Sequence, residues 1–274
     1  MATASRQQPS PGSPTSFDEQ AREFDRRVGL AEEDCRGIAA AVLKMARVRP
    51  GDRMLEIGAG TGMIGRWFLN HPVSYIGLDL SREMLEIFRH RRGIVFAGLV
   101  QADGAAPWPL PDGSLRLVFS SRTIHLLPVE HAVGELFRVA SADGAACVLG
   151  WVERRPESVK VQLSQEMQRR VRERGFPVRS AGGRRFLDAC RQRGGEDLPK
   201  VTVARWPARH APRQAIENWR AKTGLAGSVL PPGVQEEVLR ELEAWATDTF
   251  GDLDAARESE EAYVLEGVAL TSPS

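Results

Sequence analysis

From residue 53 onward the chain alternates between two kinds of hydrophobic pattern. Short, nearly continuous apolar runs predict buried strands: RMLEIGA (53–59), YIGLDL (75–80), VFAGLVQAD (95–103), LRLVFSS (115–121) and AACVLGW (145–151). Amphipathic stretches between them predict helices at 62–69, after Ser81, and at 129–139. Ser81 stands where an N-cap belongs, ahead of Met84, Leu85, Ile87 and Phe88. Upstream, FDEQAREFDRRV (17–28) predicts a short helix. Residues 31–47 predict another, with Ile38, Ala41, Val42 and Met45 at helical spacing, and Pro50-Gly51 breaks the chain after it. Strands alternating with helices imply βαβ units: an α/β, doubly wound, mainly parallel sheet with helices on both faces.

After Trp151 the rhythm changes. Residues 158–173 set Val159, Leu163, Met167 and Val171 on one helical face, and a second helix is expected near 183–192. A strand near 200–206, helices near 212–221 and 233–247, and a last strand YVLEGVAL (263–270) complete the chain. This pattern predicts one domain over 17–274. A helical cap over 152–200 is inserted between its fifth and sixth strands.

Composition narrows the class. The 274 residues are 42% hydrophobic and 27% charged, with a formal net charge of +1, as in an ordinary water-soluble domain. The first sixteen residues are rich in Pro, Ser and Thr, lack the apolar core of a signal peptide, and read as a disordered tail. No uncharged run is long enough to span a membrane. Cys35, Cys147 and Cys190 are far apart and odd in number, so they offer neither a disulfide framework nor metal-ligand spacing. A reducing cytoplasm is the expected setting.

The chemistry concentrates at MLEIGAGTGMIG (54–65). Glycines directly after a strand let backbone approach a ligand and permit positive φ. Gly60-Thr61-Gly62-Met63-Ile64-Gly65 also satisfies GxGxxG, the dinucleotide pattern. Glu56, inside the strand, is costly to bury unless it has a partner. A carboxylate there would repel a pyrophosphate and suits a cationic ligand. Asp79 ends the second strand nineteen residues after Gly60, where an acid can accept hydrogen bonds from ribose hydroxyls or simply cap the next helix. Asp103 ends the third strand and could accept from an adenine amine.

In this order and spacing, Glu56-x-Gly58-x-Gly60-x-Gly62, Asp79, Asp103, then LRLVFSS with His125 behind it, the chain resembles the class I S-adenosylmethionine-dependent methyltransferases. The likeness is nearest to their small-molecule, ubiquinone/menaquinone-biosynthesis-like type 11 group and covers about residues 30–151. The resemblance implies a Rossmann-like, seven-stranded sheet whose last strand is antiparallel. It implies S-adenosylmethionine as cofactor, with Gly58, Gly60 and Gly62 against its methionine part and Glu56 anchoring its amino group. Asp79 would take the ribose, Leu80 would lie beside the adenine, Asp103 would take its amine with Gly104 next to it, and Ser120 would face the sulfonium. The family often carries two histidines after the fourth strand; here there is one.

His125 is the candidate general base, with structural packing under the loop as the alternative. His71, His90, His131 and His210 fall on turns or helix surfaces and are expected to be solvated. Trp151 either walls the substrate pocket or packs in the core. Residues 151–200 hold thirteen Lys or Arg against seven Asp or Glu. Such a basic cap could attract an anionic small molecule, a carrier protein or nucleic acid, or is merely a solvated helix face. Three activities follow: methyl transfer to the O, N or C atom of a small molecule; modification of RNA through Arg169, Arg170, Arg172, Arg184 and Arg185; or NAD-dependent oxidoreduction. The first accounts for the most residues, and a non-catalytic binding protein that keeps the pocket stands beside all three. No metal is expected.

Overall fold

The computed structural model describes residues 29–91, 98–178 and 182–270. The tail expected at 1–16, the helix expected at 17–28 and the first residues of the third expected strand, 95–97, lie outside the described residues. In chain order the elements are α1 (Glu32–Met45), β1 (Arg53–Ile57), α2 (Gly65–Phe68), β2 (Ser74–Asp79), α3 (Arg82–His90), β3 (Gly98–Gln101) and β4 (Leu117–Ser121). There follow α4 (Val129–Val139), β5 (Ala145–Arg154), α5 (Val159–Glu173), α6 (Gly182–Gln192), β6 (Gly195–His210), α7 (Pro212–Arg220), α8 (Pro232–Phe250) and β7 (Arg257–Leu270).

The strands form one seven-stranded sheet in the order β3-β2-β1-β4-β5-β7-β6. Neighbours among β1 to β5 are parallel, and β7 runs antiparallel to both β5 and β6. The order reverses between β1 and β4, so a crevice must open beyond their carboxyl ends. Near-continuous burial of β1 and β4 reflects cover on both faces. On one face α1, α2 and α3 supply Ile38, Val42, Phe68 and Phe88 against Met54 and Phe119. On the other, α4 and α6 supply Val133, Leu136, Phe186 and Leu187 against Leu55, Ile57 and Val118. Each such fully buried Leu, Val or Phe contributes about 1.5–3 kcal/mol.

A third core lies apart from the sheet, where α5, α7 and α8 form a helical lobe. Val159, Leu163, Met167 and Val171 pack there on Ile216, Leu239 and Leu242. Of the expected cap at 152–200, α5 joins this lobe, whereas α6 lies against the sheet. The lobe is completed from after β6, by α7 and α8. It springs from the carboxyl ends of β5 and β6, the same edge as the crevice.

Three elements differ from expectation for identifiable reasons. The helix expected at 62–69 is the four-residue α2, because Gly62 adopts φ +73° and cannot be helical. β6 runs 195–210 rather than 200–206, and β7 begins at 257 rather than 263. The carboxyl half of β6 and the first residues of β7 form a two-stranded ribbon in which β6 is exposed at alternate positions and β7 at its first two, so the apolar run that marks a buried strand is missing there.

Candidate functional site

The turn after β1 is built by backbone and one side chain. Gly58 and Ala59 donate to the Leu78 carbonyl at 2.8 and 3.1 Å, tying the loop to the end of β2. Gly58 and Gly60 take φ of +75° and +54°, the left-handed region open to glycine. Asp79 holds the loop in place: its two oxygens accept from Gly60 N at 2.8 Å and Ser81 N at 2.9 Å. Ser81 in turn caps α3 by accepting from Met84 N. One carboxylate therefore orients the loop and the next helix together.

Glu56 sits beneath this loop, 2% exposed. Tyr75 donates to its Oε2 at 2.5 Å. Burial pushes the Glu56 carboxyl up to about 8, against the Tyr75 hydrogen bond and with help from the nearby Asp79 charge. Burial likewise raises the Tyr75 hydroxyl. Room for the pair comes from Gly65, where a Cβ would lie 2.4 Å from the Tyr75 hydroxyl and 2.5 Å from Glu56 Oε2.

These groups open onto a cleft of about 840 Å³. Glu56, Gly58, Gly60, Asp79, Leu80, Asp103 and Gly104 all line it. Leu80 and Leu126 stand at the cleft as apolar lips, 67% and 70% exposed. Asp103 is exposed and accepts from Ala105 N at 2.8 Å, while the Gly104 carbonyl accepts from the Trp108 indole at 3.0 Å.

Three expected residues are elsewhere. Gly62 does not reach the cleft; its bare Cα lets the Phe88 ring in, since a Cβ would come within 2.1 Å of it. Ser120 is 1% exposed and donates to the Ile57 carbonyl at 3.0 Å, clipping β4 to β1. The strand pleat turns its neighbour Ser121 toward the cleft instead. His125, on the short turn of 3₁₀ helix at Ile124–Leu126, faces a second cavity beside the cleft. Burial lowers its pKa, so it is neutral at physiological pH.

The sequence reading also missed residues. Thr123 covers the loop so closely that a Cβ on Gly58 would lie 2.1 Å from its Oγ1. Arg122 has φ +59°, a strained conformation for a side-chain-bearing residue, and lines both the cleft and the second cavity. A non-glycine turn residue between a strand and a lone histidine was the available signal. His210 is not solvated: it is half-buried and pairs with Glu261 at 2.9 Å.

The basic run of 151–200 is largely neutralised locally. Arg169 pairs with Glu166 and Glu173; Arg170 pairs with Glu166 and with Glu241 of α8. Arg174 meets Glu237 and Glu241. Among the described residues no cluster of His, Cys, Asp and Glu could hold a metal ion, and no helix is long and apolar enough to cross a membrane.

Residues 55–148 match a family model described as a methyltransferase domain. The chain is 29% identical over 133 residues to the malonyl-[acyl-carrier protein] O-methyltransferase of Serratia marcescens, covering 47% of this chain and 49% of that protein. It is 30% identical over 134 residues to the uncharacterized methyltransferase YcgJ of Bacillus subtilis, covering 47% of this chain and 51% of that protein. The chain thus spans about half the length of these curated relatives. The solved structure of YcgJ superposes with a TM-score of 0.53 at 19% identity, over 86% of this chain and 98% of that chain. The [4+2]-cyclase SpnF shares the fold at a TM-score of 0.51 and 18% identity, over 87% of this chain and 82% of that one. The ordered motif, the sheet order and the domain match together support a class I S-adenosylmethionine-dependent methyltransferase domain at residues 55–148.

Proposed function

We propose that this chain binds S-adenosylmethionine in the cleft at the β1/β4 reversal and transfers its methyl group to a small-molecule acceptor. The observation that carries the reading is the charge of the cleft. The carboxylates of Asp79 and Asp103 and the buried carboxyl of Glu56 line it against one guanidinium, Arg122. A dinucleotide's pyrophosphate would meet net negative charge there, whereas a cationic sulfonium nucleoside meets complementary charge. The side-chain-free floor at Gly58 and Gly60 and the two leucine lips suit a backbone-hugging amino-acid part and a flat base.

S-adenosylmethionine, when bound, supplies a methyl group made electrophilic by the sulfonium. The remaining work falls to the chain. Asp79 fixes the loop and, lining the cleft, would accept from ribose hydroxyls through its remaining lone pairs. Glu56 supplies the counter-charge for an ammonium group from below. Leu80 and Leu126 exclude water from the base. His125, neutral and in the neighbouring cavity, accepts a proton from an acceptor that must lose one. Alignment of the acceptor with the methyl group supplies most of the rate.

The relative that O-methylates malonyl-[acyl-carrier protein] makes a carboxylate acceptor one plausible class. The RNA reading loses ground because Arg169 and Arg170 are held in ion pairs with glutamates. The fold alone does not choose the reaction, as the cyclase shows. Calorimetry with S-adenosylhomocysteine and with NADH tests the cofactor. Binding of the first and not the second is expected; the reverse result removes the proposal. Incubation of a metabolite extract with methyl-labelled S-adenosylmethionine then tests transfer, and cofactor binding with no labelled product would leave a binding protein in its place.

A further inference from the structure

A second cavity of about 530 Å³ opens beside the cleft. It lies between the carboxyl ends of β5 and β6, the start of β7 and the first turn of α5. Its charge is unlike that of the cleft. Arg122, Arg154, Lys160 and Arg209 line it, and Glu261 is the one carboxylate among its lining residues. Glu261 is shared: Arg154 Nε lies 2.7 Å away, His210 Nε2 2.9 Å and Lys160 Nζ 3.9 Å. Elsewhere on α5, arginines meet glutamates nearly one for one. Here Arg154, Lys160 and His210 share the single carboxylate of Glu261, with the Arg154 and Lys160 side chains only 32% and 39% exposed, while Arg209 at the open rim is 68% exposed and reaches Glu258 at 3.9 Å. Partly buried cations in excess are costly unless an anion joins them.

Two further features give the cavity a ligand-like character. Trp151, Val152 and Trp206 form apolar walls, as in small-molecule sites of this size. Arg122 lines both cavities, and its backbone is held at φ +59° by a hydrogen bond from its N to the Gly150 carbonyl at 3.1 Å. A ligand in the second cavity therefore lies next to the cofactor cleft.

We propose that this cavity is the acceptor site and that it takes an acceptor bearing a carboxylate or phosphate on an apolar or aromatic body, an assignment that rests on the methyl-transfer reading above. The anion sits among Lys160, Arg154 and Arg209, and the ring or chain packs on Trp151 and Trp206. Arg122 then sets the acceptor against the cofactor. The ion-paired arginines farther along α5 take no part.

The test uses the full chain saturated with S-adenosylhomocysteine, titrated with phenylacetate, phenyl phosphate and the uncharged phenylacetamide. Calorimetry and tryptophan fluorescence give the affinities. One or both anions should bind at least about tenfold more tightly than the amide. Lys160→Gln should weaken the anions by about tenfold and leave the amide unchanged, because Glu261 keeps Arg154 and His210. Lys160→Arg should restore binding, and Arg169→Gln, on the far part of α5, should have no effect. Which anion binds better names the acceptor's head group. Equal affinity for amide and anions, or indifference of the anions to Lys160→Gln, overturns the assignment while S-adenosylhomocysteine binding still supports methyl transfer. If S-adenosylhomocysteine itself fails to bind, the methyl-transfer reading falls first and the acceptor role falls with it.

Discussion

The two cavities share a wall and are built on opposite principles. The cleft is made of backbone: a glycine loop held by Asp79 and by the Leu78 carbonyl, with negative charge around it. The second cavity is made of side chains from four separate elements, with positive charge in excess. A backbone site tolerates little substitution, because each residue's conformation is fixed by its neighbours. A side-chain site can be rewritten residue by residue without disturbing the fold. That division suits the proposed pairing of a common cofactor with a particular acceptor.

Substitution should expose the difference most strongly at Gly58. It sits at φ +75°, and a Cβ would lie 2.1 Å from Thr123 Oγ1. Gly58→Val should destabilise by about 3 kcal/mol or more, from backbone strain plus overpacking. Thermal unfolding should then fall by roughly 10 °C. Arg209→Ala, at the exposed rim of the second cavity, should leave Tm in place. Equal losses from the two variants would erase the contrast.

Next in size is His125→Ala, which should lower turnover by about a hundredfold for an acceptor that must lose a proton, with cofactor affinity unchanged. Burial lowers the pKa of His125, so the acid limb of the wild-type rate profile should lie below the ordinary histidine value. A limb at or above that value, or full turnover in the variant, would remove His125 from the mechanism. Asp79→Ala follows. Losing the acceptor for Gly60 N and Ser81 N should weaken S-adenosylhomocysteine by about tenfold to a hundredfold in calorimetry. Phenylacetate affinity should hold, since Asp79 does not line the second cavity.

The cleft was legible in the sequence and the second cavity was not, and the reason is physical. A glycine loop after a strand is a local device, so Gly58, Gly60, Asp79 and Asp103 announce themselves through spacing along one chain segment. The parallel strands were equally plain, because burial on both faces leaves continuous apolar runs. Ser120 was misplaced by one residue because a strand's two faces differ by a single step, and the apolar run LVFSS does not say which serine turns inward. Gly65 makes room for Glu56 and Tyr75 bonds to it, a relation among a helix and two strands that no spacing rule encodes. Arg122, Lys160, Arg209 and Glu261 meet only because β4, β5 and β6 end, and β7 begins, at one edge. The count of basic residues at 151–200 did not say which of them matter: Arg169 and Arg170 are neutralised by partners, Arg154 and Lys160 line the second cavity, and Arg122 and Arg209 join them from outside that segment.

The smallest effect is a proton. Burial holds the Glu56 carboxyl at about 8, so in the ligand-free fold it is largely protonated at neutral pH. A cationic amino group arriving above it favours the carboxylate. Cofactor binding near pH 7 should therefore expel close to one proton, and the release should fade above about pH 8. Calorimetry of S-adenosylhomocysteine in phosphate and in Tris reads this directly, as a heat that differs with the buffer's own protonation enthalpy. Glu56→Gln should make the two heats agree. The same group leaves a mark on stability, with a fixed sign. Because folding raises its pKa, the folded chain holds a proton that the unfolded chain has lost, between the ordinary carboxyl value of 4.5 and about 8. Its contribution is complete below that window and is lost as pH rises through it. Glu56→Gln should flatten that decline. Buffer-independent heats in the wild-type protein at pH 7 would mean that the cation is met by some other group, and the negative cleft would then owe its ligand preference to Asp79 and Asp103 alone.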